Sequence, residues 1–549
     1  MSSVPFMAAF SVLIQWSSLL AQGGAGDPRN APKGLVCNKD GACEGYTLFA
    51  PLQSTTTYLI DMDGEVVNSW KSEYTPGSPY LLPNGHLLRS ADDPTAPRFR
   101  AGGKNGRIQE FTWEGELIWD YKFADEMKQQ HHDIAPMQNG HVLFIAWEYK
   151  TKEEAIAAGR DPTLVGDEGM WPDCVFEVKP VDPDSAEIVW EWRVFDHLVQ
   201  DFDPEKANHG DVAAHLELVD INADREGEPI TAAERDRLIA LGYITQAAPP
   251  PRPGGPGGGP PEGRADWNHT NAINYNEELD QIALSIHHFS EIWIIDHSTT
   301  TEEAKGHEGG RCGKGGDLLY RWGNPRRHRA GDKSDQKLFS QHDVRWIPAG
   351  YPGEGNLMVF NNGRGRAEGD FSSVDEIVTP IGMDLTYLWE TGEPFDPPIA
   401  EWTYQSPDPK EFFSSFISGA HRLPNGNTFI CSGAQGRLFE VTGGGEIVWE
   451  YWNPHFDADM QDRGPRGRLP PPGPGGPPPR DPQNPDGNSG PGGPPPGPDD
   501  QAGRNRGNGP PPLPPGMGRG GFVGTGCFRA TRIPADYPGL AKFKGAGSR

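Results

Sequence analysis

A nine-residue motif that starts as a strand and ends in a turn recurs six times along this 549-residue chain, and that recurrence limits the possible folds more than any other feature. In order the copies read GSPYLLPNG from Gly77, HDIAPMQNG from His132, HTNAINYNE from His269, HDVRWIPAG from His342, SGAHRLPNG from Ser418 and FRATRIPAD from Phe528. Most are followed at some distance by a tryptophan-bearing segment: GEVVNSW, GELIWDY, EIVWEW, DLLYRWGNP, LTYLWE and GEIVWEYWNP. The fullest copy runs from Ser418 into GEIVWEYWNP. There Ile447, Trp449 and Tyr451 alternate with polar residues at the two-residue period that turns one face of a strand into a core. Repetition of a four-stranded antiparallel unit is the signature of a propeller, in which each sheet buries its faces against its neighbours. The expected fold is all-β, a six-bladed β-propeller of four-stranded antiparallel blades with long Pro/Gly-rich loop insertions.

The ends of the chain need each other. The strands within Gly45–Trp70 precede the first copy, whereas the last copy, at Phe528, has nothing after it to complete a sheet. The N-terminal strands are therefore expected to form the outer part of the blade whose inner strand begins near Phe528, closing the ring without a covalent link. The propeller is placed at 33–545, with insertions at about 197–265 and 464–521 read as low-complexity or disordered. In the first, Thr231 and Glu234 form a capping box ahead of Leu238, Ile239 and Leu241, which predicts a short helix. The tract from Pro249 to Arg264 that follows, and the second insertion, are too poor in apolar residues to pack a core, and both are expected to be cut by proteases. The 71 glycines, 56 prolines and 10% aromatic residues suit short strands joined by tight turns, not a helical protein.

A net charge of -28 argues against nucleic acid as a partner, because phosphate binding needs a basic surface. Residues 1–24 contain the apolar run PFMAAFSVLIQWSSLL followed by small residues, which resembles a secretory signal despite lacking Lys or Arg at its start. No later apolar run is long enough to span a membrane. A periplasmic or secreted monomer or homodimer is expected. Of the six cysteines, Cys37 and Cys43 are close enough to close a small loop and are the pair expected to form a disulfide; Cys431 is expected to be a buried free thiol.

Aligned in phase, three consecutive motifs begin with histidine: His132, His269 and His342. Inner strands of a propeller line its central channel, so these imidazoles are expected to converge there, where they can exchange protons near neutral pH. Asp133 and Asp343 follow two of them, and FNNGRGR (Phe360–Arg366) is expected to return from the His342 strand to the same end of the channel. Arg364 and Arg366 there supply forked donors suited to a tetrahedral oxyanion. Zinc held by three imidazoles is the chemical alternative, ranked lower because an arginine nearby would repel the metal. His131, His287, His288 and His297 are read as structural.

At these residues the chain resembles the arylsulfotransferase family, in DWNHTNAI, SQHDV, FNNGRGR and SGAHRLPNGNTFI. The resemblance implies an exported six-bladed enzyme that moves a sulfuryl group from a phenolic sulfate ester to a phenol. It implies ping-pong transfer through a sulfohistidine, with no nucleotide, metal or other cofactor. It also implies that His269 and His342 bind sulfate or act as acid and base, that Arg366 binds sulfate, with Asn362 and Asp343 as further binding residues, and that the nucleophile lies in a later blade. The nearest histidine there is His421, at the fourth rather than the first position of its motif. An odd offset on a strand points to the opposite face unless a bulge intervenes. Either a bulge near Gly419 turns His421 inward, or His132 is used instead, or the reaction is lost and the chain is a secreted binding or scaffold module.

Overall fold

The computed structural model describes residues 33–96, 98–224, 265–457 and 525–541. The signal-like segment, the helix expected around Thr231–Leu241, the tract from Pro249 to Arg264 and the 464–521 insertion lie outside the described residues.

Six antiparallel sheets form a six-bladed propeller. The inner strands are Cys527–Pro534 in blade 1, Pro76–Leu81 in blade 2, Lys128–Pro136 in blade 3, Thr270–Asn276 in blade 4, His342–Trp346 in blade 5 and Gly419–Arg422 in blade 6. Blade 1 is assembled from both ends of the chain. Cys527–Pro534 pairs with Gly45–Pro51, and Thr56–Ile60 and Val66–Lys71 lie outside it. A short N-terminal strand, Gly34–Asn38, adds a fifth member to the outer edge of blade 6, so the N-terminal part of the chain ties two blades.

The recurring tryptophans explain why the blades hold together. In each blade an outer-strand indole donates its N–H to a backbone carbonyl of the next: Trp70 to Thr112 at 2.9 Å, Trp119 to Ser185 at 2.8 Å and Trp192 to Gly316 at 2.7 Å. Around the ring follow Trp322 to Pro397 at 2.8 Å, Trp402 to Gly443 at 3.0 Å and Trp449 to Met62 at 2.9 Å. A large apolar ring fills the inter-blade core while its one polar atom satisfies a turn carbonyl that burial would otherwise leave short of a partner. In blade 5 this residue is Trp402 on the strand Trp402–Tyr404, not Trp389 of LTYLWE. Trp389 packs beneath the long connection before that strand.

Two further expectations are corrected. Cys37 and Cys43 are both free thiols. The Cys37 backbone is drawn into edge pairing opposite Glu450, whereas the Cys43 N–H is anchored 2.7 Å from Glu440 Oε1 inside the core. Residues 197–224, expected to be low-complexity or disordered, carry regular structure. Leu198–Val199 pairs in parallel with Val219–Asp220, and Leu198, Val199, Val212, Leu216, Val219 and Ile221 are buried.

Candidate active site in the central channel

The inner strands begin with backbone kinks at one level of the channel. His132 (φ 50°), His269 (φ 53°) and Ser418 (φ 94°) occupy the first position of their motifs in the left-handed region, and Asp343 (φ 60°) the second of its own. Such conformations are costly for non-glycine residues and persist only where the surroundings enforce them. At His132 the carbonyl is held by Asn105 Nδ2 at 3.0 Å and Ser90 Oγ at 3.2 Å. Pairing shifts register at the same level, between Thr270 and Ala272 and between His342 and Arg345. The strict two-residue alternation is thereby broken, and the first, second and fourth positions all contribute to the channel.

At the first position the three in-phase histidines are brought together. The His132 and His269 rings lie 4.5 Å apart, and His269 connects to His342 through His287, at 5.2 and 5.3 Å. His288 stacks on His269 at 4.7 Å. All three in-phase rings are buried, and Gly103 packs on the His132 imidazole with no room for a Cβ.

Each ring is held by a defined partner. Asp173 Oδ1 lies 3.1 Å from His131 Nε2, and His131 Nδ1 lies 2.8 Å from His132 Nδ1. A carboxylate only accepts, so His131 carries its proton on Nε2, its Nδ1 accepts the His132 Nδ1–H, and the lone pair of His132 is left on Nε2. His131 is kept in place by stacking on Trp147 at 4.1 Å. A shorter relay fixes His269, whose Nδ1 lies 2.5 Å from Asp266 Oδ2, while Trp147 Nε1 donates to the other oxygen. Burial opposes the Asp266 charge, yet His269 and His288 hold the carboxyl below its usual range. His342 is engaged at both nitrogens, with Nδ1 2.7 Å from Asn362 Oδ1 and Nε2 accepting the Ile417 N–H at 3.2 Å. Asn362 itself donates to the carbonyls of Ser414 and Ile417.

Burial keeps His132 and His342 neutral at pH 7. Burial, then the neighbouring histidines and Arg529, push His132 well below its ordinary value, and burial brings His342 down to about 3. His287 is lowered by burial, by His269, His288 and His342, and by the charge of Arg364. Arg366 has partners of its own. It donates to Ser373 Oγ at 2.7 Å and packs between the rings of Phe339 and Phe371.

Beneath the histidines the second and fourth positions build an ion cluster. Arg529, from the closing strand, pairs with Asp133 and lies 3.3 Å from Asp343; Arg345 Nε donates to Asp343 at 2.7 Å and Tyr80 donates to Asp133 at 2.8 Å. Asp343 is thus a structural anion of the channel. His421 lies in the fourth-position layer with Arg345 and Tyr80, where its Nε2 accepts the Arg532 N–H from the neighbouring inner strand at 3.2 Å and its Nδ1 has no hydrogen-bond partner among the described residues. Burial, then Arg345, drives its pKa well down.

His131, His287 and His288, read from the sequence as structural, belong to the cluster. A signal existed: the second strand of a blade returns to the end where the inner strand begins, so the His287–His288 pair that follows Gln281–Ile286 lies opposite His269. Asp266, His269 and His288 also bring ligand atoms within 4.8 Å of one another, the one group in the channel among the described residues able to hold a metal ion.

Fold and site together define a six-bladed propeller with imidazoles buried at one level of its channel. The arylsulfotransferase (ASST) family pattern matches residues 47–379, and the chain belongs to that family. Membership supports sulfotransferase activity on small-molecule substrates in general. The matched span contains His131, His132, His269, His342 and Arg364 but stops short of His421. No curated protein is similar in sequence at a significant level. Among solved structures, a protein of unknown function from Bacteroides caccae is 11% identical, covering 74% of this chain and 93% of its own, with a TM-score of 0.37. A streptogramin B lyase is 10% identical over 77% of this chain and 83% of its own, with a TM-score of 0.34. Virginiamycin B lyase from Staphylococcus aureus is 9% identical over 78% and 87%, with a TM-score of 0.33. At these values the likenesses carry no functional argument. Among the described residues no helix is long and apolar enough to cross a membrane.

Proposed function

We propose that the chain transfers a sulfuryl group from an aryl sulfate to a phenol through a sulfohistidine, and that His132 is the nucleophile. The observation that carries this reading is the Asp173–His131–His132 relay, which leaves a neutral imidazole with its lone pair on Nε2. His342 has both nitrogens engaged, and His421 belongs to the fourth-position layer of the ion cluster, with its Nε2 engaged by the Arg532 N–H.

In the first half-reaction His132 Nε2 attacks sulfur, the S–O bond to the aryl group breaks, and the leaving group departs with the electron pair as a phenolate. As the ring gains positive charge, its Nδ1 proton passes to His131 Nδ1, and Asp173 stabilises the imidazolium so formed. Arg364, whose charge acts on His287, supplies positive charge for the sulfuryl oxygens without reorganisation. In the second half-reaction His269 Nε2, opposite His132, takes the proton of the acceptor phenol. The phenolate attacks sulfur, the N–S electron pair returns to His132, and His131 gives its proton back. Entry of substrate requires the segment around Gly103 to lift from the His132 ring. The signal-like N-terminus fits export to the periplasm or beyond.

Steady-state kinetics with an aryl sulfate and a phenol test the reading. Parallel double-reciprocal lines, with no added nucleotide or metal, are expected. Absence of transfer with every aryl sulfate tried would favour a non-catalytic binding module.

A further inference from the structure

Away from the channel, three side chains converge on the flank of blade 4. His197 and Asp317 are buried, while the His307 side chain is 59% exposed. Both histidines present Nδ1 to the same carboxylate oxygen: His197 at 2.9 Å and His307 at 2.7 Å from Asp317 Oδ1. The His197 ring cannot turn away. It stacks on Trp192 with a 6° interplanar angle, Gly316 packs on it without room for a Cβ, and its Nε2 lies 2.8 Å from the Ala304 carbonyl oxygen.

The proton count does not close with neutral groups. A neutral imidazole has one N–H, yet His197 faces an oxygen acceptor at each nitrogen. With the proton on Nε2, donated to Ala304, the Nδ1 lone pair points at a carboxylate, an arrangement that calls for a cation between them. A ring N–H donated to a backbone carbonyl is also how histidines that bind metal through the other nitrogen are oriented.

We propose that His197, His307 and Asp317 form a structural site for a divalent metal of the zinc type, with two Nδ1 atoms and one carboxylate oxygen as ligands and a fourth position open beside His307. Two imidazoles and a carboxylate are a ligand set that zinc accepts. With bonds of about 2.0–2.2 Å, tetrahedral ligand atoms stand about 3.4 Å apart, so the three must spread by roughly half an ångström, which the exposed His307 can supply. The ion's role follows from its place. His197 leads into the Leu198–Val199 strand, and Asp317 leads into Leu318–Trp322, the outer strand of blade 4. The metal pins the ordered part of the first insertion to the propeller, independently of any reaction in the channel.

The test titrates zinc chloride alone into the full-length, chelator-stripped protein by calorimetry, and follows the Tm with and without zinc. One ion per chain and a raised Tm are expected. His307→Ala, a surface change that leaves the buried pair intact, is expected to weaken binding at least tenfold and to abolish the Tm rise. His288→Ala, at the potential metal group in the channel, is expected to leave both unchanged. Cobalt should give the visible absorption of a low-coordinate site, lost in His307→Ala. No zinc binding, or binding unaffected by His307→Ala, overturns the proposal.

Discussion

At the residue scale, the account turns on protonation states that burial imposes. Because the His132 pKa is pushed well below its ordinary value, its Nε2 stays a free base through the neutral range, and the rate of transfer is expected to show no inflection near pH 6.5 from the nucleophile. A limb near pH 6.5 in both the wild-type transfer rate and the rate at which the adduct forms on His132 would contradict this. His297 behaves in the opposite sense. Burial disfavours its charge, but hydrogen bonds to Asp280 and Glu177 raise it to about 9, so it joins blades 3 and 4 as an imidazolium. A raised folded pKa contributes stability that is fully present below the ordinary value near 6.5 and is lost as pH rises through about 9. In urea unfolding, His297→Gln is expected to cost of order 2–3 kcal/mol at pH 6 and much less at pH 10. A pH-independent gap would show that packing, not charge, is what the residue contributes. His132, His269 and His342 were legible in the sequence because they share one position of one motif. His131 and His421 were not assignable, because left-handed residues at the strand starts break the alternation from which facing is read. The cluster's remaining members, His287 and His288, lie on a different strand end.

At the scale of elements, the ring is closed by hydrogen bonds from tryptophan and by one arginine. Trp449→Phe keeps most of the apolar ring but removes the shorter of two hydrogen bonds to the Met62 carbonyl, leaving Asn38 Nδ2 at 3.3 Å; a loss of about 1 kcal/mol is expected from denaturant titration. Arg529 lies on the closing strand and bridges Asp133 and Asp343, which belong to blades 3 and 5, with burial opposed by those two carboxylates so that its charge is retained. Arg529→Leu takes the paired cation from buried Asp133 and leaves Asp343 with Arg345 alone, and a loss of about 3–5 kcal/mol is expected. If this variant matched wild type in stability, the closing strand would not act as the keystone described. The sequence motif made the six inner strands and the joining of the chain ends legible. It misplaced the outer strand of blade 5, since a long connection separates Ser373–Ile377 from Trp402–Tyr404 and LTYLWE within it carries the same tryptophan pattern. The short strand Gly34–Asn38 was missed because pairing at a blade edge demands only a partner backbone, not an apolar face: two of its residues, Leu35 and Val36, are exposed.

At the scale of the whole molecule, an acidic chain encloses a channel whose first layer is built of buried histidines and whose second layer balances Asp133 and Asp343 against Arg345 and Arg529. For the sulfuryl transfer proposed above, burial of the histidines away from water is the condition under which transfer to a phenol can outrun hydrolysis. The most direct test is to expose the protein to an aryl sulfate without acceptor and map the modification by mass spectrometry of peptides under conditions that preserve N–S bonds. A single added SO3 group on His132, absent in His132→Ala and discharged by a phenol, is the predicted result. An SO3 group on His421, or no covalent adduct while transfer proceeds, would contradict it.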